Sequence, residues 1–402
     1  MLNTMGSNGR LYRMVEVLAV FFKLGLTSFG GPVAHLGYFR EEFVESRRWL
    51  DEKSYADLVA MCQFLPGPAS SQVGMGLGMI RAGLPGAVAA WIGFTMPSAV
   101  AMILFAFGVT HLDLATQGGW LHGLKVVAVA VVAQAVWGMA QGLCPDRNRA
   151  TLAILSTILV VAWPTTLGQV AAIVAGGLFG WKFLHIQDEK PGNALCTSHS
   201  RRTGLLFLAL FILLLLALPF LATITSSPWL RVADSFYRSG SLVFGGGHVV
   251  LPLLQTEVVS SGWLNKELFM AGYGAAQAVP GPLFTFAAYL GATMNVGPAG
   301  WIGGLLALTA IFLPSFLLVA GMLPFWDTFR ERPAAQAILR GVNAAVVGLL
   351  LAALYNPVWT SGILSATDFI MALAAFGLLV FWKRPPWLVV LLAGATTSLL
   401  AG

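Results

Sequence analysis

Two basic residues lie where a charge is hard to hold. Lys23 sits in an apolar run that leads into Thr27-Ser28-Phe29-Gly30-Gly31-Pro32, and Arg238 in one that leads into Phe244-Gly245-Gly246-Gly247-His248. In hydrocarbon each cation would cost at least ~2.5–3.5 kcal/mol at a helix centre on insertion scales, so its presence points to a counter-charge or an anionic ligand. A helix breaker follows each run, Pro66-Gly67-Pro68 in one case and Pro280-Gly281-Pro282 in the other. Consecutive prolines without N–H donors stop a helix, and the glycine between them lets the chain turn. Beyond the first breaker come Ser70, Ser71 and Gln72, so a new helix there opens with hydroxyls beside unpaired N–H groups, a ready anion site. The second breaker keeps the turn but loses most of the hydroxyls. Together these residues suit non-covalent binding of a small anion.

Each feature also has a plainer reading. Lys23 can snorkel to the membrane interface. Asp234, four residues before Arg238, can neutralise it on the same helix face. The Pro-Gly-Pro breaks can be kinks without a ligand, and the Phe-Gly-Gly glycines can serve helix packing. Recurrence of the cation at the same place in two stretches favours function. Protonatable groups nearby are His35, His248, Glu16, Glu42, Glu257 and Asp234, with His248 the best placed, directly after the glycines. No Ser-His-Asp or paired-carboxylate constellation and no GxxxxGK[ST] loop occurs, so neither an enzyme nor direct ATP drive is supported. Cys62, Cys144 and Cys196 form no CxxC pair and no metal-ligand spacing, and no cofactor is called for.

The elements that must position these residues are membrane helices. The chain is 57% hydrophobic and 10% charged, against roughly 25% charged in soluble domains. The net charge of +6 sits mostly in short loops and reads as topology signalling, with no nucleic-acid partner. Hydropathy predicts thirteen spans near 14–36, 57–80, 84–109, 119–142, 150–163, 167–185, 204–225, 232–256, 268–294, 298–323, 335–356, 363–382 and 386–401. Lys/Arg bias puts the N-terminus in the cytoplasm and, with an odd count, the C-terminus outside. The exception is 40–53, where four basic and five acidic residues fall on the outer side; it could lie at the interface as an amphipathic helix, re-enter or cross. Residues 150–163 could belong to a hairpin that does not fully cross. The polar stretch from His185 to Thr203 reads as a linker.

An internal duplication organises the whole. At an offset of 215, Lys23 aligns with Arg238, Gly25 with Gly240, Phe29-Gly30-Gly31 with Phe244-Gly245-Gly246, and Glu42 with Glu257. After one deletion, Gln63 aligns with Gln277 and Pro66-Gly67-Pro68 with Pro280-Gly281-Pro282; farther on, Gly86 is matched with Gly300 and Pro97-Ser98 with Pro314-Ser315. The expected organisation is a first repeat at 1–185, a linker plus one extra span at 186–231, and a second repeat at 232–402. The second copy opens seven spans after the first, and an odd number of crossings inverts it. The predicted fold class is therefore an all-α polytopic membrane protein of two inverted halves with broken helices, as in many secondary transporters. Lys23 would lie about 12 Å into the bilayer at 1.5 Å per residue, and Arg238 equally deep from the other face. Both would approach a shared anion site with Thr27, Ser28, Gly30, Gly31, the two breakers, Ser70 to Gln72 and Phe244 to His248.

These motifs, with Gln63-x-x-Pro66-Gly67-Pro68 and Gln277-Ala-Val-Pro280-Gly281-Pro282, resemble the chromate ion transporter family in its long, two-domain form. The resemblance covers the chain except for the linker and the last two spans. It implies an inner-membrane protein of bacteria or archaea that exports chromate, confers resistance and draws on the proton-motive force, with protons as coupling ion. Sulfate, a tetrahedral dianion of similar size, is the alternative substrate, and a channel-like anion pathway the alternative mechanism. No oligomeric state follows from the sequence.

Overall fold

The computed structural model describes residues 7–29, 31–111, 119–184, 200–244, 247–326, 328 and 332–401, and these form helices joined by short turns. The hydropathy runs do become helices, but the glycine–proline breaks cut several of them in two. The first run is α1 (Ser7–Thr27) followed by α2 (Gly31–Arg40), which continues into a π-helical turn at Glu41–Ser46. The predicted span 57–80 is two pieces, α3 (Glu52–Phe64) and the start of α4 (Ala69–His111), separated by Leu65 to Pro68. Within α4, Ala82 and Gly83 leave helical geometry, so its residues 69–81 and 84–111 are separate segments. Then come α5 (Gly119–Leu143), α6 (Arg147–Ala162), α7 (Thr166–Phe183) and α8 (Arg201–Thr225).

The second half repeats the pattern. Helix α9 (Pro228–Leu242) breaks before α10 (Val250–Leu254), which again runs into a π-helical turn, Gln255–Val259. Helix α11 (Lys266–Ala278) breaks at Pro-Gly-Pro before α12 (Phe286–Thr293). The chain ends with α13 (Gly300–Met322), α14 (Pro333–Ala353), α15 (Ala366–Val380) and α16 (Pro386–Ala401). Five helical stretches among the described residues are long and apolar enough to cross a membrane, 69–110, 122–143, 201–225, 300–325 and 333–362. The other apolar helices are shorter because the breaks and turns divide them. Helix α8 packs one face on α13 and α9 and leaves Leu206, Leu213, Leu216 and Phe220 at the surface, as expected of a helix that faces lipid.

Small residues set the closest helix contacts, as in membranes generally. Gly25 of α1 lies against the Gly93 and Phe94 carbonyls of α4, and Gly240 of α9 lies against the Ile311 carbonyl of α13. The two halves also exchange helices. Helices α6 and α7 pack on α14, while α15 and α16 pack on α5. Gly341 of α14 meets Gly176 and Gly180 of α7, and Gly123 of α5 meets Ala393 and Gly394 of α16. The duplication therefore extends to the chain's end, past the point where residue identities reveal it. One residue match needs correction. Gly78 is packed on Gly86 in the first half and Gly291 on Gly303 in the second, so the counterpart of Gly86 is Gly303 rather than Gly300.

Candidate functional site

The four breaks meet at one junction, and each copy is tied to the other by backbone. Gly281 N–H donates to the Ser28 carbonyl at 2.8 Å, and Gly67 N–H donates to the Val243 carbonyl at 2.5 Å. Ser28 and Val243 are equivalent positions, as are Gly67 and Gly281, so one hydrogen bond is made twice with the roles exchanged. Both glycines take φ values that L side chains rarely adopt, 127° at Gly67 and 89° at Gly281. A side chain at Gly67 would meet Ser315 Oγ, and one at Gly281 would meet Ser98 Oγ, again equivalent residues. Ser98 Oγ also donates to the Pro280 carbonyl. The Pro282 carbonyl accepts from the Thr285 hydroxyl at 2.9 Å.

His35 is buried and clamps the first break. Its Nε2 lies 3.2 Å from the Ser28 carbonyl and its Nδ1 3.4 Å from Ser70 Oγ. A carbonyl only accepts, so Nε2 carries the hydrogen. The polar residues opening α4 are turned into the protein: Ser70, Ser71 and Gln72 are at most 3% exposed. Ser70 meets His35, and the Gln72 amide donates to the Pro66 carbonyl at 2.7 Å. The Ser70 and Gln72 contacts stabilise the turn from within, while Ser71 Oγ has no hydrogen-bond partner among the described residues. Thr27 spends its hydroxyl on the Lys23 carbonyl, 2.9 Å away in its own helix.

Each of the two cations has a carboxylate partner in its own half. Arg238 holds Glu257 with two nitrogens, at 3.0 and 3.1 Å, and Asp234 at 2.8 Å. Lys23 is 3.9 Å from Glu42, the counterpart of Glu257, and its side chain is 69% exposed. Both glutamates ride on the π-helical turns, which tilt them back toward α1 and α9. The plainer reading of Arg238 through Asp234 is thus met, and a second acid joins it. Glu42 and Glu257 were legible as aligned residues, but their pairing required the chain to fold back at the breaks. In the first half the network continues: Glu42 and Glu16 both bind Arg47, and Glu16 also binds Arg81, whose guanidinium covers the Trp49 ring. With Arg40, which pairs with Glu45 and Glu52, five of the charged residues in 40–53 are held in ion pairs, partly to Glu16 and Lys23 outside the stretch.

Two connected cavities open at the junction. The larger, about 570 Å³, is lined among others by Pro32, Gln63, Gly67, Gln134, His248 and Asn343. A smaller lobe of about 50 Å³ shares Pro32, Gln134 and His248 and adds Gly31, Gln277 and Gly281. The His248 ring is fixed by Tyr273, whose hydroxyl is 2.8 Å from Nδ1. A third cavity, about 690 Å³ and open, lies between α8 and α9 and is lined by Arg231, Asp234, Arg238 and Trp263. Of the residues expected to form the site, Gly31, Gly67, His248 and Gly281 line the two central cavities. Lys23 and Arg238 line neither, and Gly30, Gly245 and Gly246 fall outside the described residues. The carboxamides Gln63, Gln134, Gln277 and Asn343 were not among the expected site residues. Gln63 and Gln277 carried a signal, since each stands three residues before Pro-Gly-Pro.

An all-helical apolar bundle with broken helices around an internal cavity defines a polytopic membrane transport protein. The chromate transporter family profile matches residues 15–181 and 230–398, one match per half, and the chain belongs to that family. Its members are transport proteins, not enzymes. The chromate transport protein of Pseudomonas aeruginosa is 28% identical over 355 residues, covering 83% of this chain and 79% of that protein. That of Cupriavidus metallidurans is 25% identical over 93% of this chain and 89% of its own length, and a probable chromate transport protein of Synechococcus elongatus is 26% identical over 85% and 84%. No solved structure matches the chain.

Proposed function

We propose that this protein is a secondary transporter that exports chromate from the cytoplasm across a bacterial inner membrane and thereby confers resistance. The observation that carries this reading is the chromate transporter family match in each half, 15–181 and 230–398; the reciprocal hydrogen bonds, Gly281 to Ser28 and Gly67 to Val243, support a path between the breaks. In this reading residues 1–185 and 232–402 are inverted repeats, and 186–231 adds a linker and one span. The N-terminus is cytoplasmic and the C-terminus periplasmic. The substrate passes between the breaks, bordered by Thr27 to Gly31, Pro66 to Pro68, Phe244 to His248 and Pro280 to Pro282. Arg238, with Asp234 and Glu257, holds the half-helices at the second pair of breaks.

Export of a dianion gains roughly 4.6 kcal/mol per 100 mV of inside-negative potential, from about 2.3 kcal/mol per charge. Direction alone is thus no test of proton drive. Chromate accumulation in inside-out vesicles, with and without a pH gradient at fixed potential, tests direction and coupling together. Proton-driven export predicts that collapsing the pH gradient lowers the rate several-fold; an unchanged rate would leave a potential-driven pathway. Sulfate as competitor tests the substrate. Inversion is tested separately: single cysteines at Glu45 and Ser260 should label from opposite sides of the membrane, and labelling from the same side would refute the inverted arrangement.

A further inference from the structure

The polar side chains in the largely apolar lining of the two central cavities are carboxamides, the His248 imidazole and the Cys62 thiol. Gln63 comes from the last turn of α3 and Gln277 from the last turn of α11, at equivalent positions of the two halves. Gln63 lines the larger cavity, Gln277 the lobe, and Gln134, from α5, lines both. Among the described residues no Asp, Glu, Lys or Arg lines either one. The two cations expected there are engaged elsewhere, Arg238 by two carboxylates and Lys23 beside Glu42. At the lobe the buried Gln277 amide lies against the Tyr273 hydroxyl, and its Nε2 has a second N–H that no further described residue takes up. Buried polar atoms are nearly always satisfied, and an exception calls for an explanation such as a ligand. The lobe offers about 50 Å³, several times the ~10–15 Å³ that one water needs.

We propose that the transported tetrahedral oxyanion is seated in this lobe by neutral carboxamide N–H donors, chiefly Gln277 and Gln134, with Gln63 receiving it on the side of the larger cavity. This rests on the transporter reading above and names its ligands. A fully ionised tetrahedral oxyanion presents only acceptors, and each carboxamide offers two donors. Donors without fixed charge suit transport, because a site must bind well enough to admit the anion and weakly enough to release it. Because the seat adds no charge, the anion carries its full double charge through the potential. Gln63 and Gln277, one from each half, offer it the same group from either side.

The test is radiolabelled chromate uptake into proteoliposomes holding the full chain, with membrane potential set by a potassium gradient. Gln277→Leu and Gln134→Leu should each raise KM at least ten-fold while size-exclusion profile and melting temperature stay as in wild type. Gln277→Glu keeps the shape, adds a like charge and should abolish uptake. Lys23→Gln should leave KM within two-fold. Unchanged KM in both leucine variants, or a ten-fold rise in Lys23→Gln alone, would overturn the neutral seat while leaving the transporter reading intact. A wild-type protein that moves neither chromate nor sulfate would instead overturn the transporter reading, and the seat with it.

Discussion

Arg238→Ala is expected to cost about 3–5 kcal/mol of stability, because it strips the guanidinium from two carboxylates that are nearly buried. Asp234 and Glu257 have side chains only 11% and 10% exposed, and Arg238 meets both. Their mutual repulsion would push α9 and the Gln255–Val259 turn apart and open the break that Gly67 is bonded to. Thermal melting in detergent should show a large loss, with little protein reaching the membrane. Removing one acid as well, in Arg238→Ala with Asp234→Ala, restores stability only in part because Glu257 still lacks its guanidinium partner. Replacing all three by apolar residues, Arg238→Met with Asp234→Leu and Glu257→Leu, should recover most of it. Lys23→Ala should behave differently. The Lys23–Glu42 pair is long, 3.9 Å, and its lysine is mostly exposed, so its loss should cost about 0–1 kcal/mol. Equal damage from Lys23→Ala and Arg238→Ala would contradict this account.

Gly67→Ala and Gly281→Ala are expected to abolish transport. Each position holds a φ that costs about 1–3 kcal/mol for a residue with a side chain. Each also leaves no room for a methyl group, which would push into a serine of the other half. To relieve the clash the breaker must withdraw from its partner break and lose the hydrogen bond to Val243 or Ser28. The serine contacts make suppression specific. Ser98→Gly should restore part of the flux to Gly281→Ala but none to Gly67→Ala, and Ser315→Gly should do the reverse. Flux measured in the four double variants decides this; suppression without regard to pairing would mean that the clash is not what disables the protein.

Much of this was legible in the chain alone. Membrane character follows from summed hydropathy, a property of residues whatever their partners. The duplication follows from ordered glycines and prolines, and the breaks follow from local backbone chemistry, since Pro-Gly-Pro ends a helix in any context. The chemical environment of the site did not follow. Asp234 was legible as a partner of Arg238 on its own helix, but the second carboxylate of Arg238 and the only one beside Lys23 come from other elements, which a linear sequence does not show. Glu42 and Glu257 reach them only after the chain reverses at the breaks and the π-helical turns redirect their faces. The hydroxyls of Ser70 and Ser71 read as ligands for the same reason, though packing turns them inward. The cavity's carboxamides come from four separate helices, and no local spacing brings Gln134 and Asn343 to Gln63 and Gln277. Local breaks are written in neighbouring residues; which charges are neutralised and which polar atoms face the cavity depends on contacts between distant ones, and only the tertiary fold decides those.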